Sequence, residues 1–522
     1  MRTRKVFLYG PPGSGKSSLG RVLAAQLQLN FVDLDEWIET RSGFSIADIF
    51  ENKGEAAFRQ LEKTILNEIA ALPGSCVVAL GGGALLDLAS RSLVEKTGDI
   101  LCLQAEYDIL LSRLLKEGVE RPLIKDDLPL KLKTLLEQRS SHYQSFETLD
   151  VGALSIEKAV ERAQCRLGWF HVSGMGSGYD VLVQLGLLTE VGPYFAQYGL
   201  KGPVVVVSDH NVAAHYRKRV VDSLEQAGYK TVFVALSPGE AHKTIESVQT
   251  LWQAFVEAGL ERGSTVLALG GGVVGDLAGF AAATFKRGVS WVACPTSLLA
   301  MVDAGLGGKT GVDLPAGKNL VGAFHAPRLV LVDTDCLATL PEVELQNGMA
   351  EVIKHGLIAD PDLFELCRQD WQQHMPRNVV DAMAVKIKII CEDPLEKGRR
   401  EVLNLGHTVG HALELVSGFQ LKHGEAVALG MLAEAQLAEE MGITLAENLV
   451  KDIHAALVNN GLPVSIPAGI DLDAVMQAML QDKKRAAGVL RFALPMRIGE
   501  AKEGIVVEPH LVGSVLSRLQ GK

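Results

Sequence analysis

At 522 residues, the chain has length for about three cores of ordinary size, and with 48% hydrophobic and 22% charged residues it is not extensively disordered. A net charge of −11 argues against nonspecific attraction to nucleic acid or an anionic membrane, so an anionic ligand must meet a locally basic pocket. The seven cysteines include no C-x-x-C pair, which fits buried reduced thiols in a cytoplasmic protein better than a disulfide frame or a thiolate metal site.

In chain order, the first element is the apolar strand KVFLYG. The basic residues before it and its short apolar run stop at proline and glycine, far short of a signal-peptide core. Next comes GPPGSGKSS, where Gly10, Gly15, Lys16 and Ser17 fit G-x-x-x-x-G-K-[ST] between a buried strand and the helix SSLGRVLAAQL. Backbone amides of Gly13, Ser14 and Gly15 can wrap phosphates at a helix start that continues through Ser18. Lys16 reaches the β and γ phosphates, and the Ser17 hydroxyl can bind Mg²⁺, so ATP with Mg²⁺ is the expected ligand. NFVDLDEWIE then places Asp33 and Asp35 on one side of a short strand, one carboxylate for the metal and one for a hydroxyl.

Apolar strands such as SCVVALGGG alternate with amphipathic helices as far as SIEKAVERAQCRL, the pattern of a parallel sheet with crossover helices. The glycine-rich GWFHVSGMGSGYDVLV interrupts it and sets a domain boundary near 168–172. A second α/β run, 172–335, carries the strands GPVVVVSD, KTVFVALS, STVLALGGG, VSWVACP and LVLVD; residues 336–522 are mostly helical periods. LALGGGVVGDLAGF ends a strand and opens a helix, which by itself indicates an anion at a helix start. It nearly repeats the earlier VVALGGGALLD. Further on, His407 and His411 stand four apart on one helix face, with Glu351 and His423 as further candidate ligands. One Glu and two His leave open positions, as a catalytic zinc requires.

EAAFRQLE, LGGGALL, ERPLI and EQRSSHY follow the phosphate loop and the Asp pair in order, and over roughly 1–168 the chain resembles shikimate kinase. The resemblance implies that Asp33 joins Ser17 in holding Mg²⁺ and that Asp35 orients or deprotonates the shikimate hydroxyl. Arg59, Gly81, Gly82, Gly83 and Arg139 would hold shikimate, the two arginines pairing with its carboxylate. Arg121 would swing in on a lid, contact ATP and stabilise the transferring phosphoryl group. Arg113 falls about one residue off the family spacing, so no adenine-packing role is assigned to it.

From about 172 almost to the end, PTSLLAMVDAGLGGKTGVDLPAGKN, NGMAEVIKHG, LNLGHTVGHALE, LKHGEAV and QDKK resemble 3-dehydroquinate synthase. The resemblance assigns Glu351, His407 and His423 to Zn²⁺ or Co²⁺ and leaves His411 beside them for substrate binding or proton transfer. It places NAD against Gly271, Gly272, Val273 and Asp276, with Asp209, Asn211, Glu240, Lys243, Thr296 and Ser297 as further contacts. Lys309 and Lys318 also fall on that list. The sugar-acid phosphate would meet Asp303, Lys309, Asn319, Lys354, Lys386, Arg400, Asn404, His411, Lys483 and Lys484, among which Lys309, Lys354, Lys386, Arg400 and His411 would take part in catalysis. Arg287 would also bind the sugar-acid phosphate, reaching across to a neighbouring subunit, which implies a homodimer. Ala304 and Gly305 stand where the family has two serines.

The implied reaction converts 3-deoxy-D-arabino-heptulosonate 7-phosphate to 3-dehydroquinate, with NAD taking and returning a hydride. The whole is thus expected to be a cytoplasmic fusion of a kinase, residues 1–168, with an NAD-binding α/β domain, 172–335, and a helical metal- and substrate-binding domain, 336–522. Three alternatives stand beside it: another small-molecule kinase of the gluconate type, a different NAD- and zinc-dependent sugar phosphate cyclase or polyol dehydrogenase, and a non-catalytic nucleotide-binding domain that regulates a synthase.

Overall fold

The computed structural model describes residues 5–117, 127–315, 317–369, 375–483 and 490–521. The chain divides into two compact units, Met1–His171 and Val172–Lys522.

In the first unit β1 (Lys5–Tyr9), β2 (Asn30–Asp33), β3 (Cys76–Ala79), β4 (Gly98–Gln104) and β5 (Glu147–Asp150) form a parallel sheet in the order β2-β3-β1-β4-β5. Every residue of β1 and β3 is buried, as expected for central parallel strands covered on both faces. Phe7, Tyr9, Leu34, Ile38, Ile65, Ile69 and Val78 belong to the largest core cluster of this unit. The loop after β1 turns directly into the helix Lys16–Gln26 through Gly15, whose φ of 83° is the left-handed conformation that glycine adopts freely. Ser45 and Asp48 form a capping box at the start of the helix Ile46–Ala71, which carries Arg59 and Glu62 one turn apart. One sequence expectation is corrected here. β2 ends at Asp33, whose side chain accepts the Asp35 amide and caps the helix Leu34–Ser42, so Asp35 lies in a helical first turn rather than on the strand.

The second unit is built on a seven-stranded sheet. Its strands are β6 (Trp169–Val172), which straddles the boundary at His171, β7 (Tyr179–Val183), β8 (Lys201–Asp209), β9 (Thr231–Leu236), β10 (Ser264–Gly270) and β11 (Ser290–Pro295), with Leu329–Val332 completing it. Before that last strand come β12 (Lys309–Leu314) and β13 (Gly317–Phe324), an antiparallel hairpin, which makes Leu329–Val332 β14. The order is β6-β7-β14-β11-β10-β8-β9, with the pairs from β7 to β9 all parallel. The five strands read from the sequence are β8, β9, β10, β11 and β14. The β12–β13 hairpin was not anticipated, nor was β15 (Arg491–Arg497) with β16 (Glu500–Val506), which interrupts the otherwise helical remainder.

Two of those helices, His407–Val416 and His423–Glu440, pack with their backbones in contact. A Cβ on Gly430 would lie 1.9 Å from the Gly406 carbonyl oxygen, and Gly406 itself has φ 80°. Only glycine permits such an approach, and it brings the histidines of the two helices together, the His407 and His423 ring centroids 5.2 Å apart and edge-on. All seven cysteines are free thiols, five of them buried. Among the described residues no helix is long and apolar enough to cross a membrane.

Candidate active sites

The first site lies at the C-terminal ends of β1, β2 and β3, where ligands of parallel α/β sheets sit. Gly13 and Gly15 have positive φ, and Gly15 caps the helix that Lys16, Ser17 and Ser18 begin. Ser17 Oγ donates to Asp33 Oδ2 at 2.6 Å, which brings the two expected Mg²⁺ contacts together. Lys16 Nζ folds back onto its loop, donating to the Gly10 and Pro11 carbonyls at 2.9 Å each.

Across the loop, the turn Gly81–Gly83 meets the arginines. A Cβ on Gly83 would lie 2.8 Å from an Arg59 guanidinium nitrogen, and one on Gly81 would lie 2.9 Å from Glu62 Oε1 and 3.4 Å from Asp35 Oδ1. The missing side chains therefore let Arg59, Glu62 and Asp35 lie close against the turn. Arg59 donates to Glu62 at 2.7 Å and to Glu55 at 3.2 Å, which aims the guanidinium. Burial raises the Glu62 carboxyl above its ordinary range, partly offset by Arg59. The Gly82 carbonyl accepts from Arg139 at 3.0 Å, Tyr143 at 2.8 Å and Tyr9 at 3.3 Å, so the turn is anchored from behind. Arg113 donates to the Val151 and Gly152 carbonyls. Arg121 lies outside the described residues.

The second unit holds two adjoining groups of residues. In one, Gly270 ends β10, Gly271 caps the helix Gly272–Thr284 on which Val273 and Asp276 lie, and a Cβ on Gly271 would be 3.3 Å from Ser297 Oγ. The Thr296 amide donates to the Gly270 carbonyl at 3.0 Å. Asp209 closes β8 and accepts the amides of Asn211 and Val212. Lys243 ties this region together, 2.6 Å from Asp276, 3.9 Å from Glu240 and 2.5 Å from Asn319 Oδ1. Burial pushes Asp276 up to about 6 against the pull of Lys243. These donors and the open glycine turn at a helix start fit a dinucleotide.

In the other group, Glu351 is fully buried on the helix Glu342–Ala359. Its Oε1 lies 3.4 Å from His423 Nε2 and 3.6 Å from His407 Nε2. A tetrahedral ion with bonds of ~2.1 Å holds its donor atoms roughly 3.4 Å apart, so these two distances match edges of a zinc site. His407 Nδ1 is 3.2 Å from the Leu405 carbonyl, which leaves Nε2 as the metal-facing atom. The donor atoms of His407, His411 and His423 all lie within 4.8 Å of one another, with His411 exposed. Burial and the neighbouring Lys354 hold the His407 pKa well below its ordinary value. For His423 burial acts in the same direction, but the Glu351 and Glu414 carboxylates outweigh it and push the pKa up to about 9.

Cations surround this group. Lys354 pairs with Glu351, Lys386 pairs with Asp303 and also donates to the Asp303 carbonyl at 2.9 Å, and Lys309 pairs with Glu396. Arg400 is buried, and a Cβ on Gly307 would lie 2.3 Å from its guanidinium. Asn404 closes the turn Arg399–Asn404 that precedes the histidine helix. Arg287 is exposed with φ 67°. Lys484 lies outside the described residues, and Lys483 is the last residue of the helix before it.

Sequence reasoning missed four residues. Glu62 and His355 follow recognised residues at helical spacing, three after Arg59 and four after Glu351, and Glu414 is three after His411. That spacing was the available signal. His355 is fully buried, its donor atom within 4.8 Å of those of Asp303 and Glu351, and burial lowers its pKa to about 3. Glu396 sits in a loop and had no such signal.

Comparison with known proteins resolves the family. The shikimate kinase family model matches residues 12–163, and the models for the N-terminal and C-terminal parts of 3-dehydroquinate synthase match 233–347 and 348–485. A 3-dehydroquinate synthase of Nostoc punctiforme is 44% identical over 348 residues, covering 65% of this chain and 96% of that protein. The chain belongs to the 3-dehydroquinate synthase family. With a shikimate kinase region ahead of the synthase region, it is a fusion of the two. Among solved structures, a 2-deoxy-scyllo-inosose synthase complexed with carbaglucose-6-phosphate, NAD⁺ and Co²⁺ is 26% identical, covers 67% of this chain and 99% of its own, and has a TM-score of 0.62. The 2-epi-5-epi-valiolone synthase of Streptomyces hygroscopicus, with NAD⁺ and Zn²⁺ bound, is 29% identical over 65% of this chain and 96% of its own, with a TM-score of 0.60. The synthase region thus shares its fold with enzymes that hold the cofactor and the metals its own residues fit.

Proposed function

We propose that the chain is a bifunctional enzyme of the shikimate pathway, phosphorylating shikimate with ATP in its first unit and cyclising 3-deoxy-D-arabino-heptulosonate 7-phosphate to 3-dehydroquinate in its second. The observation that carries this is the presence of two chemically different sites, a phosphate loop facing an arginine cradle and a Glu-His-His set facing a lysine cluster.

In the kinase site, Lys16 leaves its loop carbonyls for the phosphates, and Ser17 and Asp33 hold Mg²⁺, which neutralises charge on the transferring group. Arg59, fixed by Glu62, and Arg139 grip the shikimate carboxylate, while Asp35 receives the hydroxyl proton. Arg121 would supply positive charge to the phosphoryl group. The Gly81–Gly83 turn supplies the floor. Gly83→Ala would push the Arg59 guanidinium aside, since the clash is with the end of a flexible side chain. The expected result is a KM for shikimate raised about tenfold, a change of ~1.4 kcal/mol in binding, with the KM for ATP and the melting temperature nearly unchanged. Steady-state kinetics with each substrate varied in turn, beside a thermal melt, would check it.

In the synthase site, Glu351, His407 and His423 hold Zn²⁺ or Co²⁺, which supplies Lewis acidity toward a substrate hydroxyl when bound. Gly271, Gly272, Val273 and Asp276, with Asp209, Asn211, Glu240, Lys243, Thr296, Ser297, Lys309 and Lys318, would hold NAD, which would supply reversible hydride transfer. Lys309, Lys354, Lys386 and Arg400, with Asn319, Asn404, Lys483 and Lys484, bind the anionic ends of the substrate, and Asp303 orients Lys386. His411, exposed beside the ligands, exchanges protons with the substrate. Exposed Arg287, together with exposed Leu320, Val321 and Phe324 on β13, supports a homodimer, since an exposed apolar strand of a two-stranded hairpin invites a partner. Free thiols throughout support a cytoplasmic location.

Two assays on one preparation test the proposal: phosphate release from the heptulosonate with substoichiometric NAD, and ADP formation with and without shikimate. Turnover of both, with no NADH accumulating and ADP formed only with shikimate, is expected. Accumulating NADH would indicate a polyol dehydrogenase instead, and no shikimate-dependent ADP would reduce the first unit to a regulatory module.

A further inference from the structure

His407 and His423 are oriented in different ways. The Nδ1 of His407 meets a backbone carbonyl two residues away, a contact made by its own helix start. The Nδ1 of His423 instead lies 3.3 Å from Oε2 of Glu414, whose side chain is only 7% exposed. The other oxygen of the same carboxylate, Oε1, accepts from Lys318 Nζ at 3.3 Å. Lys318 stands on β13, lies over the Phe419 ring at 4.5 Å and approaches Glu240 at 4.0 Å. One buried carboxylate thus joins a metal-facing histidine to the hairpin on the cofactor side.

We infer that Glu414 is a positioning residue with two partners: it accepts a hydrogen bond from the Nδ1–H of His423, so that Nε2 presents its lone pair to the metal, and Lys318 fixes the carboxylate in the orientation that does so. An imidazole that donates one ring N–H to a carboxylate is held in a single tautomer and becomes a more basic ligand, and removal of such a partner lowers metal affinity about 10–100-fold. Because Lys318 belongs to the hairpin, metal occupancy and hairpin arrangement are linked, and the linkage is reciprocal. The inference rests on the metal reading proposed above.

The test uses the full-length chain, stripped with a chelator and titrated with Co²⁺, with affinity measured by competition and geometry by the visible absorption bands of the bound ion. Glu414→Gln and Glu414→Asp are expected to weaken Co²⁺ binding about 10–100-fold and to alter the bands. The Asp variant keeps the charge and loses only the reach, so its loss separates positioning from attraction. Lys318→Met is expected to weaken binding several-fold, and to have no further effect when added to Glu414→Gln. Attraction alone predicts the opposite sign, because removing a positive charge near a cation tightens its binding. Shikimate kinase activity of each preparation verifies that the chain is intact. Unchanged affinity and bands in both Glu414 variants, or tighter binding in Lys318→Met, would overturn the inference while leaving the metal site standing. A wild-type chain that takes up no Co²⁺ would overturn the metal reading itself and this inference with it.

Discussion

Lys16→Ala is expected to lower shikimate-dependent ADP formation by at least ~10²–10³-fold, the usual effect of removing one preorganised charge from a phosphoryl-transfer site, and to leave heptulosonate cyclisation within about twofold of wild type. The side chain has a large role in the reaction and a small one in the fold. Its half-buried side chain rests its ammonium on the Gly10 and Pro11 carbonyls, and alanine is at least as good a helix former at that position. The amides of Gly13 to Gly15 and the Ser17–Asp33 pair survive the change, so nucleotide still binds, more weakly. None of the residues assigned to the synthase lies within Met1–His171. Loss of both activities in a folded Lys16→Ala protein would therefore sink the idea of independent sites. Independence also fits the chemistry expected of the pathway, in which a dehydratase and a reductase act between the two reactions and no product passes directly from one site to the other.

The parts of the fold legible in the sequence are those whose determinants are local. The phosphate-loop motif is nine consecutive residues that run from the end of a strand into a helix, and the central strands are largely apolar runs because both faces are buried. The two LGGG stretches show where locality ends. Their letters match, yet the second passes straight into the helix Gly272–Thr284, while the first is followed by a turn and the next helix starts only at Leu88. The surrounding partners, Arg59 and Arg139 for one and Ser297 for the other, come from distant positions. Asp35 was placed on a strand because DLD suits either state until Asp33 is seen to cap a helix. The β12–β13 hairpin was hidden for a similar reason. It contains Gly311 and Gly322, which weaken strand propensity, but they let the two backbones meet, since a Cβ on Gly311 would lie 2.6 Å from the Val321 carbonyl. Glu62 and Glu414 read as solvated helix residues because carboxylates usually are. Only the fold shows both to be buried, and Lys318, which holds Glu414, is 96 residues away.

His407→Ala is expected to lower synthase turnover about 10³-fold or more, a loss of several kcal/mol of transition-state stabilisation, while shikimate kinase activity is retained. His407 begins its helix directly after Gly406, whose amide donates to Glu434 at 2.5 Å, so the helix start is secured without the imidazole and the substitution removes a ligand rather than an element of structure. What remains is Glu351 paired with Lys354 and facing His423, a two-ligand site that holds zinc poorly. Metal content therefore decides the interpretation. Stripped wild-type protein should match the variant in activity, and adding zinc back should restore the wild type alone. A His407→Ala protein that retains stoichiometric zinc and near-normal turnover would remove His407 from the ligand set. His411, four residues on and with its donor atom within 4.8 Å of those of His407 and His423, would then be the nearest replacement. The double variant His407→Ala with His411→Ala separates the two cases, since it loses zinc completely only if His411 had taken over.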